Sequence, residues 1–573
     1  MCIVKTYTTD VLIVGGGGAA TAAAISAHES GARTILAVKG RFGVPGLRGA
    51  GATSNPLADF WTIRTVGPKG GLFNPPDLVH QDMIQAGLGM ADAELCRIYV
   101  DEAPEAIKRL RAMGVQFQNK VLAVMPAVAA SSGTNNIVAI QKAVIEHTKT
   151  TVLEHANVID MLVEAGRCFG AVGIDDWGEP FLVRAGAVVL ATGGVGQLFR
   201  YSFNPPGNTG DGYAMVLRAG AELFNMEFMQ QGLATTWPSQ AMVMLYDMPE
   251  PFRLFNRDGK SFVQQYLLDG VTLEEVSRCK ALHWPVSCRD AAIHLDRAIH
   301  GEALAGRAGP HDGVYLDLSL ARRAFLPEMF VNYMAQFDID LNRDLLQVQN
   351  HHHTCNGGAR VDSHGETRVR GLFAAGETMG YQGADRLGGT MLGGSQVFGF
   401  RAGRKAAEVA REEPDLGVHS GLLDRLLHEP LARLAEAKGP ARPGDLLRPL
   451  QQKMWAELLV EKDEESLARA LQYVADDRER LATGIRTFEP MDCMLALEHR
   501  NLLDIAEVII RAAMLRTESR GSHYRADYPD RNDADWLTNI FAALDDGQLR
   551  LETRRTDRTW FGQAGDLRIL PWG

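Results

Sequence analysis

The sequence predicts an α/β fold in which a Rossmann-like domain, split into two parts, is interrupted by an inserted α+β domain and followed by a helical domain. Three observations support this prediction. An apolar strand, a glycine-rich turn and an alanine-rich helix follow one another over residues 11–25. Strand-and-glycine units recur at residues 187–194 and 371–377. Beyond Pro414, Leu, Ala, Glu and Arg recur with helical spacing.

Composition and charge exclude several classes of protein. The chain has 573 residues, of which 46% are hydrophobic and 23% charged, as is typical of a globular protein with several domains. The formal charge is −11, and no basic cluster indicates nucleic acid or an anionic membrane as a partner. The seven cysteines form no C-x-x-C pair, so no disulfide framework, metal site or iron–sulfur cluster is expected. No apolar run is long enough to span a membrane, and we expect a cytoplasmic protein.

The stretch VLIVGGGGAATAAAI has the order of elements that binds a dinucleotide. A buried parallel strand leads into the turn, and the register G-x-G-x-x-A falls on Gly15, Gly17 and Ala20. These small residues permit the tight turn, the approach of a pyrophosphate and close packing of the helix on the strand. Gly18 completes the turn, and the free N–H groups of the following helix would bind the phosphates.

The residues after the second strand favour FAD over NAD. This strand, TILAV, ends in Lys39, where an NAD-binding protein commonly has an acid that binds the ribose. Small residues are then frequent over residues 39–56, and we expect Gly49, Ala50 and Gly51 to lie against a flat ligand. The alternative interpretation of this segment is a mobile surface loop.

Two later segments would complete the nucleotide site. The strand at residues 187–191 is followed by a turn at Thr192 and Gly193. A two-part dinucleotide fold would place this turn beside the first glycine turn. Asp211 then opens a helical stretch, where it could cap the helix or accept a hydrogen bond from a cofactor hydroxyl.

The motifs occur in an order that resembles a known family. GGGGAA, ATGG, TGDGYAM, AGAELFNMEFMQ, GLFAAGE and GADRLGG follow one another as in the flavoprotein subunits of fumarate reductase, succinate dehydrogenase and adenylylsulfate reductase, and as in L-aspartate oxidase. The resemblance covers nearly the whole chain and implies an FAD-binding domain at residues 1–230 and 346–412, a capping domain at 231–345, a helical domain at 413–530 and a C-terminal extension at 531–573. Residues 515–536 match a signature of the family and are expected to fold back towards the flavin domain.

The capping domain contains the first candidate for catalysis. Ser287 and Asp290 have the spacing of a capping box, which would place Arg289 in the first turn of a helix. A cation is disfavoured there, so an anionic partner or substrate is expected beside it, and a solvated arginine is the alternative. Relatives in this family have their catalytic arginine in such an R-D pair.

A run of three histidines provides the second candidate. The string HHTC, followed by two glycines, resembles the family's H-Y-T-x-G-G with one extra residue. This makes His352 the first candidate for the substrate histidine and His353 the second. Metal binding is not expected, because strand alternation would put only His351 and His353 on one face.

Residues 371–410 repeat the order of strand, glycine turn and helix. Glu377 can accept hydrogen bonds from a polyol, and the matching acid of relatives contacts the ribityl side of the flavin. The helix that begins near Thr390 and Leu392 would point its positive end towards N1 and O2 of the flavin. The arginine that matches Arg386 in relatives binds a substrate carboxylate, and an unliganded surface arginine is the alternative.

Together these features predict an FAD-dependent oxidoreductase that moves a hydride between the flavin N5 and a carbon of a small organic acid. Arg386 and His352 would orient a carboxylate, and Arg289 would take or give a proton. The alternative functions are a flavin-bearing subunit that passes electrons to a separate iron–sulfur partner, and a flavin-binding pseudoenzyme. We expect non-covalent FAD, because covalent relatives have an S-H-T string where this chain has VPGL at residues 44–47.

The sequence also indicates that the substrate is neither fumarate nor succinate. Relatives that bind a four-carbon dicarboxylate follow M-E-F-x-Q with Y-H-P-T-G, whereas residues 231–235 contain no histidine. Met244 and Leu245 stand where those relatives have a threonine and an acid. An unpaired buried carboxylate is costly, so a monocarboxylate is expected to fit better. Its far end would lie near Leu233, Trp237 and Met242.

Overall fold

The computed structural model describes most of the chain. It covers residues 4–54, 63–64, 75–119, 123–126, 137–242, 253–281, 285–320, 328–412, 417 and 420–556. Met244 and Leu245 lie outside the described residues.

The strands are, in chain order, β1 (Lys5–Val14), β2 (Thr34–Ala37), β3 (Ile63–Arg64), β4 (Phe117–Asn119), β5 (Ala123–Pro126), β6 (Thr151–Leu153), β7 (Ala156–Glu164), β8 (Arg167–Asp175), β9 (Pro180–Leu190), β10 (Leu223–Phe224), β11 (Met229–Trp237), β12 (Leu254–Phe255), β13 (Val314–Leu316), β14 (Leu346–Cys355), β15 (Gly358–Ala359), β16 (Leu372–Ala374), β17 (Thr538–Asp545) and β18 (Gln548–Arg555). The α-helices are α1 (Gly18–Glu29), α2 (Pro76–Ala86), α3 (Ala93–Ala112), α4 (Ile137–Glu146), α5 (Asp211–Arg218), α6 (Leu273–Lys280), α7 (Ile293–Leu304), α8 (Glu328–Ala335), α9 (Thr390–Glu412), α10 (Ser420–Leu423), α11 (Glu429–Glu436), α12 (Pro443–Leu458), α13 (Glu464–Thr483), α14 (Pro490–Leu515) and α15 (Asp533–Trp536). A π-helical turn, Asp424–His428, joins α10 to α11.

The largest sheet forms the predicted nucleotide fold. Its strands run in the order β6, β2, β1, β9, β8, β7, and β16 also pairs with β9. The pairs among β6, β2, β1, β9 and β16 are parallel, whereas β8 and β7 are antiparallel. Leu190 of β9 lies opposite both Val14 of β1 and Ala374 of β16. The three glycine turns that follow these strands therefore meet at one edge of the sheet.

Helices α1 and α9 pack closely because both contain small residues. A Cβ at Gly403 would lie 2.2 Å from the carbonyl oxygen of Ala23, and one at Gly399 would lie 2.6 Å from that of Ala19. Such distances leave room only for glycine. The helices are also joined near their first turns, where Gln396 Nε2 donates to the carbonyl oxygen of Gly18.

A second sheet has the order β11, β14, β13, β12. Its strands β12 and β13 and most of β11 lie within the insertion predicted at residues 231–345. All of its pairs are antiparallel. Leu233 and Met242 pack with Val348 in the apolar core of this sheet, and Trp237 stacks on His311 with ring centroids 6.0 Å apart. Leu233 and Met242, which the sequence predicts near the far end of the substrate, thus fill the core of this sheet.

The C-terminal part is helical, with breaks between α11 and α12, between α12 and α13, and between α13 and α14. The segment after α14 folds back as predicted: Arg520 Nη1 donates to the carbonyl oxygen of Leu88, and Ser522 Oγ donates to that of Ala384. β17 and β18 then form a hairpin that pairs with β10. The predicted fold class is confirmed. In the part of the chain that the structure describes, no helix combines the length and apolarity needed to cross a membrane.

Candidate functional site

A cleft opens at the edge of the main sheet where β1, β9 and β16 end. About 1210 Å³ of space that no protein atom fills lies along it, part of it open to solvent. Most of the residues predicted to bind the cofactor line it, namely Gly15, Gly17, Gly18, Lys39, Gly49, Gly51, Thr192, Gly193, Asp211, Glu377 and Leu392. The lining includes the glycine turns that follow β1, β9 and β16, as expected of an extended dinucleotide site.

The other three predicted contacts, Ala20, Ala50 and Thr390, lie behind this wall and are fully buried. The carbonyl oxygen of Ala50 accepts a hydrogen bond from Ser54 Oγ at 2.6 Å. Thr390 Oγ1 donates to the carbonyl oxygen of Leu387, also at 2.6 Å. These residues support the wall of the cleft, so the structure does not place them in contact with the cofactor.

The turn after β1 has no room for a side chain. Gly15 has a φ of +130°, and a Cβ there would lie 2.2 Å from the carbonyl oxygen of Ala191. A Cβ on Gly51 would lie 2.6 Å from Gly17 Cα, so two glycine backbones face each other. Gly17 is also the N-cap of α1, where no side chain caps the N–H groups. These N–H groups and the positive end of α1 fit the pyrophosphate of FAD.

Lys39 carries a buried positive charge in the wall of the cleft. Its Nζ lies 2.5 Å from Asp211 Oδ2 and 2.6 Å from Glu498 Oε1. Burial alone would lower the pKa of Lys39, but the two carboxylates outweigh it and raise the pKa. Asn501 Nδ2 also donates to Asp211 at 2.9 Å, and the N-cap of α5 is Gly210. Asp211 therefore joins Lys39 to α14 and does not cap α5.

Glu377 lies in the turn that follows β16. Its Oε1 accepts the N–H of Cys355 at 3.0 Å, and a Cβ at Gly194 would lie 2.2 Å from the same oxygen. Burial raises the pKa of the Glu377 carboxyl, an effect that the Cys355 N–H partly opposes. A carboxylate on the wall of the cleft can accept hydrogen bonds from a polyol chain.

Arg386, Gln230 and His353 form a buried cluster that reaches the cleft. Arg386 Nε donates to Gln230 Oε1 at 2.7 Å, and Arg386 Nη2 lies 3.1 Å from His353 Nδ1. His353 also lines the cleft. Burial and the charge of Arg386 lower the pKa of His353 well below its usual value, so the imidazole is neutral at neutral pH. The cluster can therefore offer a guanidinium and a neutral imidazole to an anion beside the cofactor.

The structure places His353, and not His352, next to Arg386. Two consecutive residues of β11 pair with Thr354 and His352, so β14 has one extra residue at this point, and that residue is His353. Such a β-bulge redirects the side chain. His352 instead stacks on Phe199, with ring centroids 4.8 Å apart. His353, the second candidate from the sequence, thus contacts Arg386, and we assign the role predicted for His352 to His353 as a proposal.

Arg289 lies in a turn before α7, whereas the sequence pattern predicts that it lies in the first helical turn. The helix begins after Ala292, and Asp290 Oδ1 accepts the N–H of that residue at 3.0 Å. The N-cap of α7 is therefore Ala292 and not Ser287. The N–H of Cys288 donates to the carbonyl oxygen of Gly521 and ties the preceding turn to the C-terminal segment. Arg289 nevertheless lies close to the cluster, since its guanidinium faces the buried carboxylate of Asp385, in the loop before α9.

Sequence reasoning missed two residues of the site, Gln230 and Asp385. Gln230 Nε2 and the N–H of Arg386 both donate to Asp385 Oδ1 at 3.0 Å. Asp385 Oδ2 lies 3.8 Å from Arg289 Nη1. Gln230 and Asp385 are fully buried. The strings MEFMQ and GADRLGG could have indicated both residues. Each places a polar residue among apolar or small neighbours, and a polar residue that is buried requires a hydrogen-bond partner.

The cleft and the cluster together define a class of protein. A glycine turn at the carboxyl end of a parallel strand, followed by a helix, is a dinucleotide site. An arginine and a neutral histidine at its wall can bind an anionic substrate against the ring of the nucleotide. The fold and the site therefore fit the class of oxidoreductases that use a bound dinucleotide, and Lys39, which follows β2, favours FAD.

Comparison with known proteins identifies the family. Residues 10–392 match the family model described as FAD binding domain, and residues 447–564 match that described as fumarate reductase flavoprotein C-term. The chain therefore belongs to the fumarate reductase and succinate dehydrogenase family of FAD-dependent oxidoreductases, and the predicted family and cofactor are confirmed.

Similar proteins cover almost the whole chain. One subunit of the fumarate reductase (CoM/CoB) of Methanothermobacter marburgensis is 30% identical, over 94% of this chain and 97% of its own. L-Aspartate oxidase of Streptomyces coelicolor is 30% identical, over 96% of this chain and 93% of its own. The solved structure of Mycobacterium smegmatis Sdh1 in complex with UQ1 is 27% identical, with a TM-score of 0.81 over 97% of this chain and 95% of that one. The named activities of these relatives differ.

Proposed function

We propose that the protein transfers a hydride between FAD and a carbon of a small monocarboxylic acid. FAD, when bound, supplies the N5 atom that accepts or donates the hydride. The observation that carries the proposal is the cluster of Arg386, Gln230 and His353, which joins a buried guanidinium to the wall of the flavin cleft.

The residues of the site would divide orientation and proton transfer between them. Arg386 would bind the carboxylate by charge-assisted hydrogen bonds, because Gln230 holds its Nε and fixes the plane of the guanidinium. His353, neutral at neutral pH, would add a hydrogen bond to the same carboxylate. Arg289, on the insertion, would take or give the proton that accompanies the hydride.

The site has one carboxylate clamp, which consists of Arg386 and His353, and a single clamp favours a monocarboxylate over a dicarboxylate. Residues 231–235 contain no histidine, and Gln231 Nε2 donates to the carbonyl oxygen of Leu459. A second buried carboxylate would therefore lack this partner, at a cost of several kcal/mol. With succinate and a dye, and with fumarate and reduced viologen, we expect kcat/KM to stay below about 10⁴ M⁻¹s⁻¹, the low end for natural substrates. A higher value in either assay would contradict the choice of a monocarboxylate.

We also propose that the flavin is held without a covalent bond. The loop at residues 44–47 reads Val-Pro-Gly-Leu, and no histidine occurs between His28 and His80. After acid precipitation, yellow FAD is expected in the supernatant. Flavin that remains in the pellet would show a covalent link.

Anaerobic bleaching of the bound flavin tests the proposed function. The oxidised holoprotein is mixed with a panel of small mono- and dicarboxylic acids, and at least one monocarboxylate is expected to bleach it. Arg386→Ala should slow bleaching about 30- to 1,000-fold with FAD retained, because a lost charge-assisted contact costs roughly 2–4 kcal/mol. Arg368→Ala is the control, since this exposed arginine binds Gly220 and Glu222 away from the cluster. If no acid bleaches the wild-type flavin, the proposed reaction is wrong.

One relative favours a second function. The Methanothermobacter protein is named as one subunit of its enzyme, which makes a flavin-bearing subunit of an electron-transfer complex, with a separate iron–sulfur partner, the alternative. Turnover of the isolated chain with a dye supports the first function. Inertness of the isolated chain, together with a red-brown protein that co-purifies with it, supports the second.

A further inference from the structure

Asp385 is a buried acid that precedes Arg386 in the chain and faces the side chain of Arg289. Its side chain is fully buried. One oxygen, Oδ1, accepts from Gln230 Nε2 and from the N–H of Arg386, both at 3.0 Å. The other oxygen, Oδ2, lies 3.8 Å from Arg289 Nη1 and has no hydrogen-bond donor among the described residues. Oδ1 therefore supports Gln230 and Arg386, and Oδ2 faces Arg289.

The charge of this cluster follows from its members. Arg289 and Arg386 are both cations at any physiological pH. His353 is neutral, because burial and the charge of Arg386 lower its pKa well below the usual value. Asp385 offsets part of this positive charge, as does Glu377, whose pKa is raised by burial and lowered in part by the charge of Arg386. Loss of the Asp385 charge therefore makes the cluster more positive.

Asp385 also joins two parts of the structure. Arg289 belongs to the inserted part and precedes α7, whereas Asp385 precedes α9 of the flavin-binding part. Two guanidinium groups without an anion between them repel each other, and the repulsion is strong where water is excluded. The carboxylate, which faces the Arg289 guanidinium and accepts the backbone N–H of Arg386, therefore holds Arg289 towards the loop that carries Arg386.

We propose that Asp385 is a positioning and specificity-determining residue, which holds Arg289 towards the clamp and sets the site to accept one substrate carboxylate in preference to two. This inference rests on the proposed function and adds the reason for its monocarboxylate preference. It involves no chemical step at Asp385, which acts through Arg289 and Arg386.

The substitution Asp385→Asn isolates the charge. The amide oxygen can keep both contacts of Oδ1, while the amide nitrogen replaces the oxygen that faces Arg289. Asp385→Glu keeps the charge and changes only the length of the side chain. Asp290→Asn is the matched control. It removes the carboxylate of the residue that follows Arg289 in the chain, and this carboxylate accepts the N–H of Ala292.

The experiment compares the binding of acetate and malonate to holoprotein, followed by the change in flavin absorbance. The wild type is expected to bind malonate no more than threefold more tightly than acetate. Asp385→Asn should improve malonate at least tenfold relative to acetate, because the cluster gains a positive charge. Asp385→Glu and Asp290→Asn should leave the ratio of the two affinities within threefold of wild type. A merely structural role would weaken both anions alike and would not change this ratio.

The outcomes separate the inference from the proposed function. A ratio within threefold of wild type in Asp385→Asn overturns the inference, and so does an equal change in Asp290→Asn. If Asp385→Asn loses FAD, a changed ratio in Asp385→Glu overturns it instead, and an unchanged ratio supports it. If the ratio shifts as expected but no acid bleaches the wild-type flavin, the role of Asp385 in anion selection stands and the proposed reaction fails.

Discussion

His352 and His353 are neighbours on β14 but lie in different surroundings. His353 contacts Arg386 and the cleft, whereas His352 stacks on Phe199. Burial lowers the pKa of both, so both imidazoles are neutral at neutral pH. Substitutions at the two positions therefore separate a role in the site from a role in packing.

We expect His353→Ala to lower the limiting rate of flavin bleaching at least tenfold with FAD retained, because the substrate loses a hydrogen bond worth roughly 1–3 kcal/mol. His352→Ala should instead lower the free energy of unfolding by about 2–4 kcal/mol, as for other large-to-small changes in a core. Its rate per bound FAD should stay within threefold of wild type. Rapid mixing and urea unfolding measure the two effects, and the opposite pattern would return the site role to His352.

At the scale of elements, local patterns predicted the nucleotide fold because each unit of strand, turn and helix is specified within a short stretch of sequence. The differences at His352 and Arg289 have causes that are distant in sequence. The bulge at His353 depends on how β14 pairs with β11, and the turn that carries Arg289 is held by the carbonyl oxygen of Gly521. Counting along one strand or one helix cannot reveal either contact.

The turn after β1 supplies a prediction at this scale. Gly15→Ala should abolish FAD binding and lower the melting temperature, because its Cβ would lie 2.2 Å from the carbonyl oxygen of Ala191 at a φ of +130°. Gly31 also has a positive φ, of +84°, but a Cβ there meets nothing within 4 Å. Gly31→Ala should therefore cost only about 1–2 kcal/mol and keep FAD. Flavin absorbance per protein measures the difference. Full FAD content in Gly15→Ala would contradict the proposal that the turn after β1 binds FAD.

Buried histidines on β14 and α7 make folding sensitive to acid. Burial lowers the pKa of His300 and His351 to about 4 and that of His352 to about 3, against roughly 6.5 in an unfolded chain. Between these values the unfolded chain binds more protons than the native one. The stabilisation is therefore complete above the unfolded pKa and is lost as the pH falls towards the folded pKa.

We expect the free energy of unfolding to decrease from about pH 7 to pH 5, with each of these histidines contributing a slope of up to about 1.4 kcal/mol per pH unit. Urea unfolding across this range measures the total slope. His300→Phe keeps a ring against Trp455, whose centroid lies 4.7 Å from that of His300, and removes one titrating group. The slope should then fall by about the contribution of one histidine, and an unchanged slope would exclude His300 as a source.

At the scale of the whole molecule, membership of a sheet does not follow composition. β11 and β14 pair in the same sheet. β11 extends across the domain boundary that the sequence predicts at residues 230/231, and β14 lies beyond the boundary predicted at 345/346. Changes in composition indicate where the chain changes its local pattern, whereas sheets form by pairing between distant strands. The domain boundaries stay predictions.

Buried charges connect the C-terminal segment to the strand that supports the site. Arg516 and Glu227 are fully buried, with Nε 2.8 Å from Oε1, and Arg516 Nη1 lies 2.9 Å from Glu518. The guanidinium also lies 4.9 Å from the ring centroid of Phe228. Because Glu227 and Phe228 precede Gln230, this contact joins the last part of the chain to the residue that holds Arg386.

We expect Arg516→Met to lower the free energy of unfolding by about 3–5 kcal/mol, because it leaves the Glu227 carboxylate buried without its cation. The double variant Arg516→Met with Glu227→Gln should recover part of this loss, since it removes the unpaired charge as well. Urea unfolding followed by tryptophan fluorescence gives the four free energies of the cycle, and FAD release followed in the same samples shows whether the site is lost at the same urea concentration. Arg554→Met is the control, because this arginine pairs with Glu222 and Glu552 and remains partly exposed, so its loss should cost about 1 kcal/mol or less. If the double variant were as unstable as the sum of the two single variants, Arg516 and Glu227 would not be coupled, and the C-terminal segment would not support the strand that carries Gln230 through this pair.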